Sequence, residues 1–183
     1  MRDILVMTGD DVRRALVRIA HEILEKNQGA DDLILIGVLR KGAPLAVRLA
    51  QLITQIEGVE VPVGQIDISL YRDDYRTRPL AGVGATSLPV DVTDKRVVLV
   101  DEVIFTGRTI RAAISAVVDL GRPKNIQLAV LVDRGHRELP IRPDYIGKNL
   151  PTSRHEFVEV HVTEIHGEDA VRIVKQEDET GVD

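Results

Sequence analysis

The chain has 183 residues, 44% of them apolar, and a net charge of −5, which together predict one domain with a sizeable buried core. It has no cysteine, which excludes disulfides, a thiolate nucleophile and cysteine-ligated zinc, and indicates a reducing cytoplasm. No apolar run approaches the ~20 residues of a membrane span, no signal peptide is expected, and three Tyr with two Phe are too few for a base-stacking platform.

The first predicted helix starts at Thr8, an N-cap residue followed by two acids, and ends at Asn27-Gln28-Gly29. Its inner face is apolar at a spacing of three to four residues. Its other face carries Arg14, Val17, Arg18 and His21 at the same spacing. Because the net charge is negative, this basic face is a local feature, and any contact with RNA would depend on Arg, Lys and His.

The rest of the chain alternates between strand-like and helix-like patterns. Predicted strands cover 33–38, 63–71, 97–100 and 126–132, with 157–163 pairing with 171–174, and predicted helices cover 45–56 and 109–120. This order predicts an α/β fold with a mostly parallel central sheet flanked by helices. We expect a single domain over 1–175 that contains a functional or mobile loop at 72–92, followed by an acidic tail at 176–183 that frays.

The most informative segment is the apolar strand that ends in Asp101-Glu102 and leads through a short turn to Thr106-Gly107-Arg108-Thr109. A helix that starts there presents free backbone N–H groups to a phosphate, and Gly107 allows the anion to approach closely. The two acids can accept hydrogen bonds from two sugar hydroxyls. The segment therefore predicts a site for a sugar 5′-phosphate, whereas the Walker A string is absent and Gly82-x-Gly84 lacks the third glycine of a dinucleotide fingerprint.

The same segment, residues 97–109, resembles the phosphoribosyl pyrophosphate (PRPP) signature of type I phosphoribosyltransferases. The resemblance implies that family's fold, a twisted, mostly parallel sheet with a small hood and a mobile active-site loop. It also implies that the two acids bind the ribose 2′ and 3′ hydroxyls and that the Thr-Gly-x-Thr turn holds the 5′-phosphate. Mg²⁺ would be carried mainly by PRPP, with no direct ligand from the protein.

Four further segments, at 13–23, 69–74, 132–142 and 147–153, resemble one branch of that family: the uracil phosphoribosyltransferases that also regulate pyrimidine operons by transcription attenuation. Phe105 stands where purine-salvage relatives commonly have an acid, which favours a pyrimidine. The partners implied are PRPP, uracil, UMP or UTP and pyrimidine operon leader mRNA, with a homodimer or homotetramer as the assembly and no membrane. The product would be UMP, formed by displacement of pyrophosphate at C1′.

The residues expected to act in catalysis are Asp101, Glu102, Arg40, Lys41, Arg72 and Arg78. Arg40 and Lys41 follow the first strand, where the family places its pyrophosphate loop, and 72–78 is the candidate lid. Substrate contacts are expected from the two acids, from Arg40 and Lys41, and from Val103, Ile104, Phe105, Thr106, Gly107, Arg108 and Thr109. The resemblance assigns the uracil pocket to Val132, Asp133, Arg134 and Val158. By sequence alone, Asp133 and Arg134 read as a surface ion pair.

By the same resemblance the RNA surface comprises Arg14, Arg18, His21, Lys26, His136, Arg137 and Arg142. Many relatives carry Thr and Arg where this chain has Val17 and Lys26, and valine can neither donate nor accept a hydrogen bond. Two alternatives therefore stay open: a salvage transferase that does not bind RNA, and a nucleotide-sensing regulator with little turnover. His155, His161 and His166 are expected to be surface or packing residues, since their spacing fits no metal motif.

Overall fold

The computed structural model describes residues 2–73 and 85–175. The strands are β1 (Arg2–Met7), β2 (Leu33–Val38), β3 (Val63–Ile66), β4 (Arg96–Ile104), β5 (Asn125–Asp133), β6 (Tyr145–Asn149), β7 (Glu156–His161) and β8 (Ala170–Lys175). The helices are α1 (Gly9–Asn27), α2 (Gly42–Glu57), α3 (Arg108–Leu120) and α4 (Thr163–His166), with a 3₁₀ turn at Ser69–Tyr71. None of these helices is long and apolar enough to cross a membrane.

The central sheet has the order β3-β2-β4-β5-β6, and all its strands are parallel. Both faces are covered, since every residue of β2 is buried. Leu33 and Leu35 belong to one apolar cluster with α1 and α2, whereas Ile34 and Ile36 belong to a second cluster with α3. A strand buried on both sides needs a continuous apolar sequence, so the runs in β2 and β4 specify this layer arrangement and confirm the predicted α/β fold.

A second, antiparallel sheet of order β1-β8-β7 forms the hood. The predicted pairing of β7 with β8 is confirmed, with Val160 opposite Val171. The inner side of this sheet joins the cluster of α1 and α2 through Val160, Val162 and Val171. The hood therefore lies on the α1–α2 side of the molecule.

Several predicted boundaries were wrong. The strand predicted over 63–71 ends at Ile66, because Asp67 accepts hydrogen bonds from the backbone N and hydroxyl of Ser69 and bends the chain into the 3₁₀ turn. β7 ends at His161, and Thr163 starts α4. The αL residue that ends α1 is Gln28, with φ of 55°.

Two strands, β1 and β6, were not predicted. Ile4 and Leu5 of β1 are exposed, and β1 pairs with β8 at the far end of the sequence. β6 is an edge strand that contains both Gly147 and Lys148, and it has no apolar alternation. Neither strand carries the periodicity that reveals a strand in sequence, because each is stabilised by its partner strand.

The predicted loop at 72–92 is described in part. Ser87 forms an antiparallel bridge with Gln65 of β3, with both N···O distances 2.9 Å, and Val92 is buried. Residues 85–92 therefore pack against the edge of the sheet. Arg78, the remainder of the predicted lid and the acidic tail at 176–183 lie outside the described residues.

Candidate active site

The segments predicted to carry function meet at one edge of the central sheet. β4 is paired in parallel with β2 and with β5, with Gly37 opposite Val100 and Ile104 opposite Asp133. The carboxyl ends of these three strands are therefore adjacent. Ligands bind at such a position in open α/β sheets, and the segments that follow β2, β4 and β5 are those predicted to bind pyrophosphate, ribose phosphate and base.

The acid pair lies at this edge, within β4. Asp101 is buried, and its Oδ1 accepts a hydrogen bond from the backbone N of Glu102 at 2.9 Å. Burial, and next the charge of Glu102, raise the pKa of the Asp101 carboxyl well above its ordinary value, whereas the charge of Lys41 lowers it. Glu102 is half-buried. Burial makes the anionic form of Asp101 costly, and carboxyl groups with a raised pKa are concentrated at functional sites.

The phosphate loop, residues 106–109, follows the acid pair closely in the sequence. Gly107 has φ of 92°, a left-handed conformation that favours glycine, and it is the N-cap of α3. The backbone N of Arg108 lies 3.3 Å from the hydroxyl oxygen of Thr106. A cavity of about 250 Å³ opens here, lined by 103–110 together with Arg72 and Asp73. The free N–H groups at the start of a 13-residue helix line this cavity, which makes it suitable for an anion.

The cationic loop at 39–41 is pressed against the end of β4. A Cβ atom on Gly42 would lie 2.3 Å from the backbone O of Val100, so only glycine allows this approach. The Leu39–Arg40 peptide bond is cis. Arg40 is exposed and Lys41 half-buried, and the effect of Lys41 on the pKa of Asp101 shows that the loop brings positive charge to the acid pair.

Three residues that were not predicted as site residues surround the phosphate loop: Asp73, Arg111 and Glu138. Arg108 donates from Nε to Glu138 at 2.8 Å and from Nη1 to Asp73 at 3.1 Å. Arg111 donates to the other oxygen of Asp73 at 2.6 Å and to the backbone O of Tyr71 at 2.9 Å. These contacts fix the chain entering the loop at 72–92 to the first turns of α3. No local pattern signals them, since the partners are 30–40 residues apart.

The predicted base pocket is built around Phe105. The guanidinium of Arg134 lies over this ring at 3.9 Å, and the ring of His136 meets it edge-on at 5.7 Å. Arg134 is buried, and burial lowers the pKa of its guanidinium. It donates to the hydroxyl of Thr152 at 3.1 Å and to the backbone O of Glu156 at 2.7 Å.

Asp133 and Arg134 do not pair with each other, so the surface ion pair that the residue types alone would favour does not form. Asp133 pairs with Arg137 at 2.6 Å, while Arg134 is held by neutral oxygens beside Phe105. Val132 is fully buried in the sheet, and Val158 of the hood is half-buried against the α1–α2 cluster.

The residues predicted to bind RNA divide into two groups. Arg14, Arg18 and His21 lie on the exposed side of α1, and Arg142 is exposed with no partner within residues 2–73 and 85–175. Arg18 is exposed but also has partners within the chain, since its guanidinium donates to Glu22 at 2.7 Å and to the backbone O of Gly147 at 2.6 Å.

The second group is held by contacts within the chain. Lys26 pairs with Asp144 at 2.6 Å. Arg137 donates to the backbone O atoms of Phe105 and Ile141, at 2.8 and 2.9 Å, in addition to its pair with Asp133. His136 hydrogen-bonds the backbone O of Thr152. His161 and His166, predicted to be surface or packing residues, stack on each other with ring centroids 4.6 Å apart.

This fold and site are those of a phosphoribosyltransferase, and the phosphoribosyl transferase domain family matches residues 9–165, so the chain belongs to that family. Among solved structures, the hypoxanthine phosphoribosyltransferase of Trypanosoma cruzi superposes with a TM-score of 0.71 at 20% identity, covering 95% of this chain and 97% of that one. A purine phosphoribosyltransferase from Pyrococcus horikoshii gives 0.60 at 30% identity over 78% and 85% of the two chains.

Within the family, the chain is similar to proteins named bifunctional protein PyrR. That of Deinococcus radiodurans is 56% identical, covering 94% of this chain and 95% of its own. That of Chloroflexus aurantiacus is 57% identical over 93% and 94%, and that of Clostridium novyi 58% over 90% and 93%. The chain is therefore a member of the PyrR group of phosphoribosyltransferases.

Proposed function

We propose that the chain is a uracil phosphoribosyltransferase, converting uracil and PRPP to UMP and pyrophosphate, and that it also binds pyrimidine operon leader mRNA as a uridine-nucleotide-responsive attenuation regulator. The observation that carries the enzymatic part is the acid pair in β4 followed by the αL turn at Gly107. Buried Asp101, half-buried Glu102 and a free helix N-terminus together match a ribose diol and a 5′-phosphate.

In this proposal each segment at the strand ends holds one part of PRPP. The N–H groups at the start of α3, with Thr106 and Thr109, bind the 5′-phosphate. Asp101 and Glu102 accept hydrogen bonds from the 2′ and 3′ hydroxyls. The loop that contains Arg40 and Lys41 binds the pyrophosphate. The bond from N1 of uracil to C1′ forms as the bond from C1′ to the pyrophosphate oxygen breaks, and the proton of N1 passes to the departing pyrophosphate or to solvent. The protein therefore supplies positioning and charge rather than a covalent nucleophile.

Magnesium is proposed as the ion that accompanies PRPP and neutralises the leaving pyrophosphate. Among the residues that the structure describes, no three His, Asp or Glu side chains converge as a metal site. The oxygens of PRPP would then supply most of the ligands, which fits an ion that keeps near-octahedral geometry with substrate phosphates. Asp101 and Glu102 provide carboxylate oxygens beside the ribose hydroxyls.

The base is proposed to lie beside Phe105, with Val132, Asp133, Arg134 and Val158 around it. An aromatic residue before the phosphate turn leaves no carboxylate at that point for a purine ring. The segment at 72–78 is proposed as the lid; Arg72 and Asp73 line the cavity that it would close.

Formation of UMP from uracil, PRPP and Mg²⁺ tests the enzymatic part, with hypoxanthine and guanine as competing bases. Of the three bases, we expect only uracil to be turned over, and we expect its turnover to be strongly reduced in Asp101→Asn. Turnover with a purine would overturn the assignment of the base. Saturable binding of PRPP without turnover on any base would favour the nucleotide-sensing alternative.

The observation that favours RNA binding is the set of exposed cations on α1, with the exposed Arg142. Phosphate contacts of this kind make affinity fall with salt concentration. Binding of a pyrimidine operon leader RNA, measured with and without UMP at several salt concentrations, should be salt-dependent and strengthened by UMP. A wild type that bound no RNA would favour the salvage transferase, and an Arg142→Ala variant that bound as well as the wild type would remove Arg142 from the proposed RNA surface. Sedimentation of the same samples would show whether the assembly is a homodimer or homotetramer.

A further inference from the structure

The segment at 134–142, called here the coupling segment, lies directly on the phosphate loop. The backbone N atoms of Glu138 and Leu139 both donate to the backbone O of Thr106, at 2.9 and 3.2 Å. A Cβ atom on Gly107 would lie 3.5 Å from the Cβ atoms of Leu139 and Ile141, so the segment leaves room for little more than a glycine at this point of the turn. The loop that would hold a nucleotide 5′-phosphate therefore shares one packed unit with the coupling segment.

Side-chain contacts also join the phosphate loop to the coupling segment. The carboxylate of Glu138 accepts from Nε of Arg108 at 2.8 Å, and Arg137 donates to the backbone O of Phe105 at 2.8 Å. Arg108 is the variable residue of the Thr-Gly-x-Thr turn itself. Glu138 has no part in the proposed chemistry and, as an anion, is unsuited to contact RNA phosphates.

The coupling segment also carries His136, Arg137 and Arg142, three of the residues predicted to bind RNA. We propose that Glu138 is the residue that couples the nucleotide site to the RNA surface, by tying Arg108 of the phosphate loop to the coupling segment. This inference rests on the proposed function and adds a specific residue to its regulation.

The coupling between UMP binding and RNA binding would arise because UMP orders the residues that then bind RNA. A phosphate held by the N–H groups of the turn restricts the motion of 106–108, and the Glu138–Arg108 pair with the two bonds to Thr106 transmits that restriction to the coupling segment. RNA then binds a segment that is already ordered, so less conformational entropy is lost on binding. By linkage, RNA must strengthen the binding of UMP by the same factor by which UMP strengthens the binding of RNA.

The test is a thermodynamic cycle on the full chain, using UMP and a pyrimidine operon leader RNA. The dissociation constant for RNA is measured with and without UMP, and that for UMP with and without RNA, in the wild type and in Glu138→Gln. We expect a wild-type coupling factor in the usual range of about 5- to 150-fold. Glu138→Gln should lower it about two- to fivefold, the factor that an exposed ion pair supplies. Because the factor is a ratio, a shift in either basal affinity cancels.

Two variants serve as controls. Glu164→Gln removes the same charge from a glutamate of similar exposure, 44% against 42%, that also pairs with an arginine, Arg48. It reports the effect of net charge on RNA affinity. Asp73→Asn removes the other carboxylate partner of Arg108 without touching the coupling segment. Both should keep the wild-type coupling factor.

Hydrogen exchange gives a second readout that a loss of folding would not imitate. UMP alone should slow exchange of the Glu138 and Leu139 amides in the wild type, and slow it less in Glu138→Gln. A wild-type coupling factor in Glu138→Gln, or no effect of UMP on these amides, would overturn the inference while leaving the proposed function intact. A wild type that binds UMP and RNA without any coupling, or binds no RNA, would overturn the regulatory proposal itself.

Discussion

Asp101→Asn should make the protein more stable and far less active. Asp101 is 4% exposed, and burial, followed by the charge of Glu102, raises the pKa of its carboxyl, so ionising this group in the folded state costs folding free energy. Asparagine keeps the shape and the oxygen that accepts from the backbone N of Glu102, and it removes the charge. A stabilising substitution of this kind commonly raises the free energy of unfolding by about 0.5–2 kcal/mol. For a chain of this size that corresponds to a rise of about 1–8 °C in Tm.

The gain in stability should depend on pH. An acid whose pKa is raised on folding binds its proton more tightly in the folded state than in the unfolded state. Between the ordinary value of 3.8 and the raised value, stability therefore falls as pH rises. The advantage of Asp101→Asn should be full above the raised pKa and should disappear as pH falls toward 3.8.

The loss of activity has a separate physical cause. If Asp101 accepts a hydrogen bond from a ribose hydroxyl, loss of the charged acceptor costs about 1.5–3 kcal/mol, or about 10- to 150-fold in kcat/KM. Thermal unfolding from pH 4.5 to 8.5 and UMP formation at pH 8 measure the two effects. A variant no more stable than the wild type at pH 8, or one whose advantage is equal at both ends of this range, would refute the reasoning about the buried charge.

Three further substitutions test contacts of the site and its support. Gly42→Ala should raise KM for PRPP and cost about 1–3 kcal/mol in urea unfolding, because its Cβ would overlap the backbone O of Val100. Arg137→Met should cost about 2–3 kcal/mol, because it leaves a half-buried carboxylate and two carbonyls without their donor. Tyr145→Phe should cost about 1–2 kcal/mol, because its buried hydroxyl donates within a network of two side-chain amides.

Matched control variants separate these specific effects from a general loss of stability. Arg142→Met, at an exposed cation with no partner among the residues that the structure describes, should change stability by less than about 0.5 kcal/mol and should weaken RNA binding alone. Tyr71→Phe removes a hydroxyl that donates to Asp119 at the surface, at 2.9 Å, and should cost less than Tyr145→Phe. Equal losses in the two tyrosine variants, or a stable Arg137→Met, would show that burial of these contacts is not what stabilises them.

Strands and helices could be predicted from the sequence wherever burial requires a regular pattern of apolar residues. β2 and the first half of β4 are buried on both faces and read as apolar runs, and α1 carries a capping box at Thr8 and Asp11 that marks its start. The predictions failed at edges, where β6 has one partner strand, and where a side chain such as Asp67 ends a strand through a local hydrogen bond.

The sequence by itself determined the chemistry of the phosphate site, because strand, acids, turn and helix start are contiguous and each follows from local rules. Only the tertiary structure decided the partners of the charged side chains: that Asp133 pairs with Arg137, that Arg134 lies on Phe105, and that Glu138 holds Arg108. The Asp133–Arg137 pair is local, four residues apart, whereas the other two contacts join segments brought together by the parallel pairing of β4 and β5. No sequence period records such proximity, since what sets it is the order of strands in the sheet.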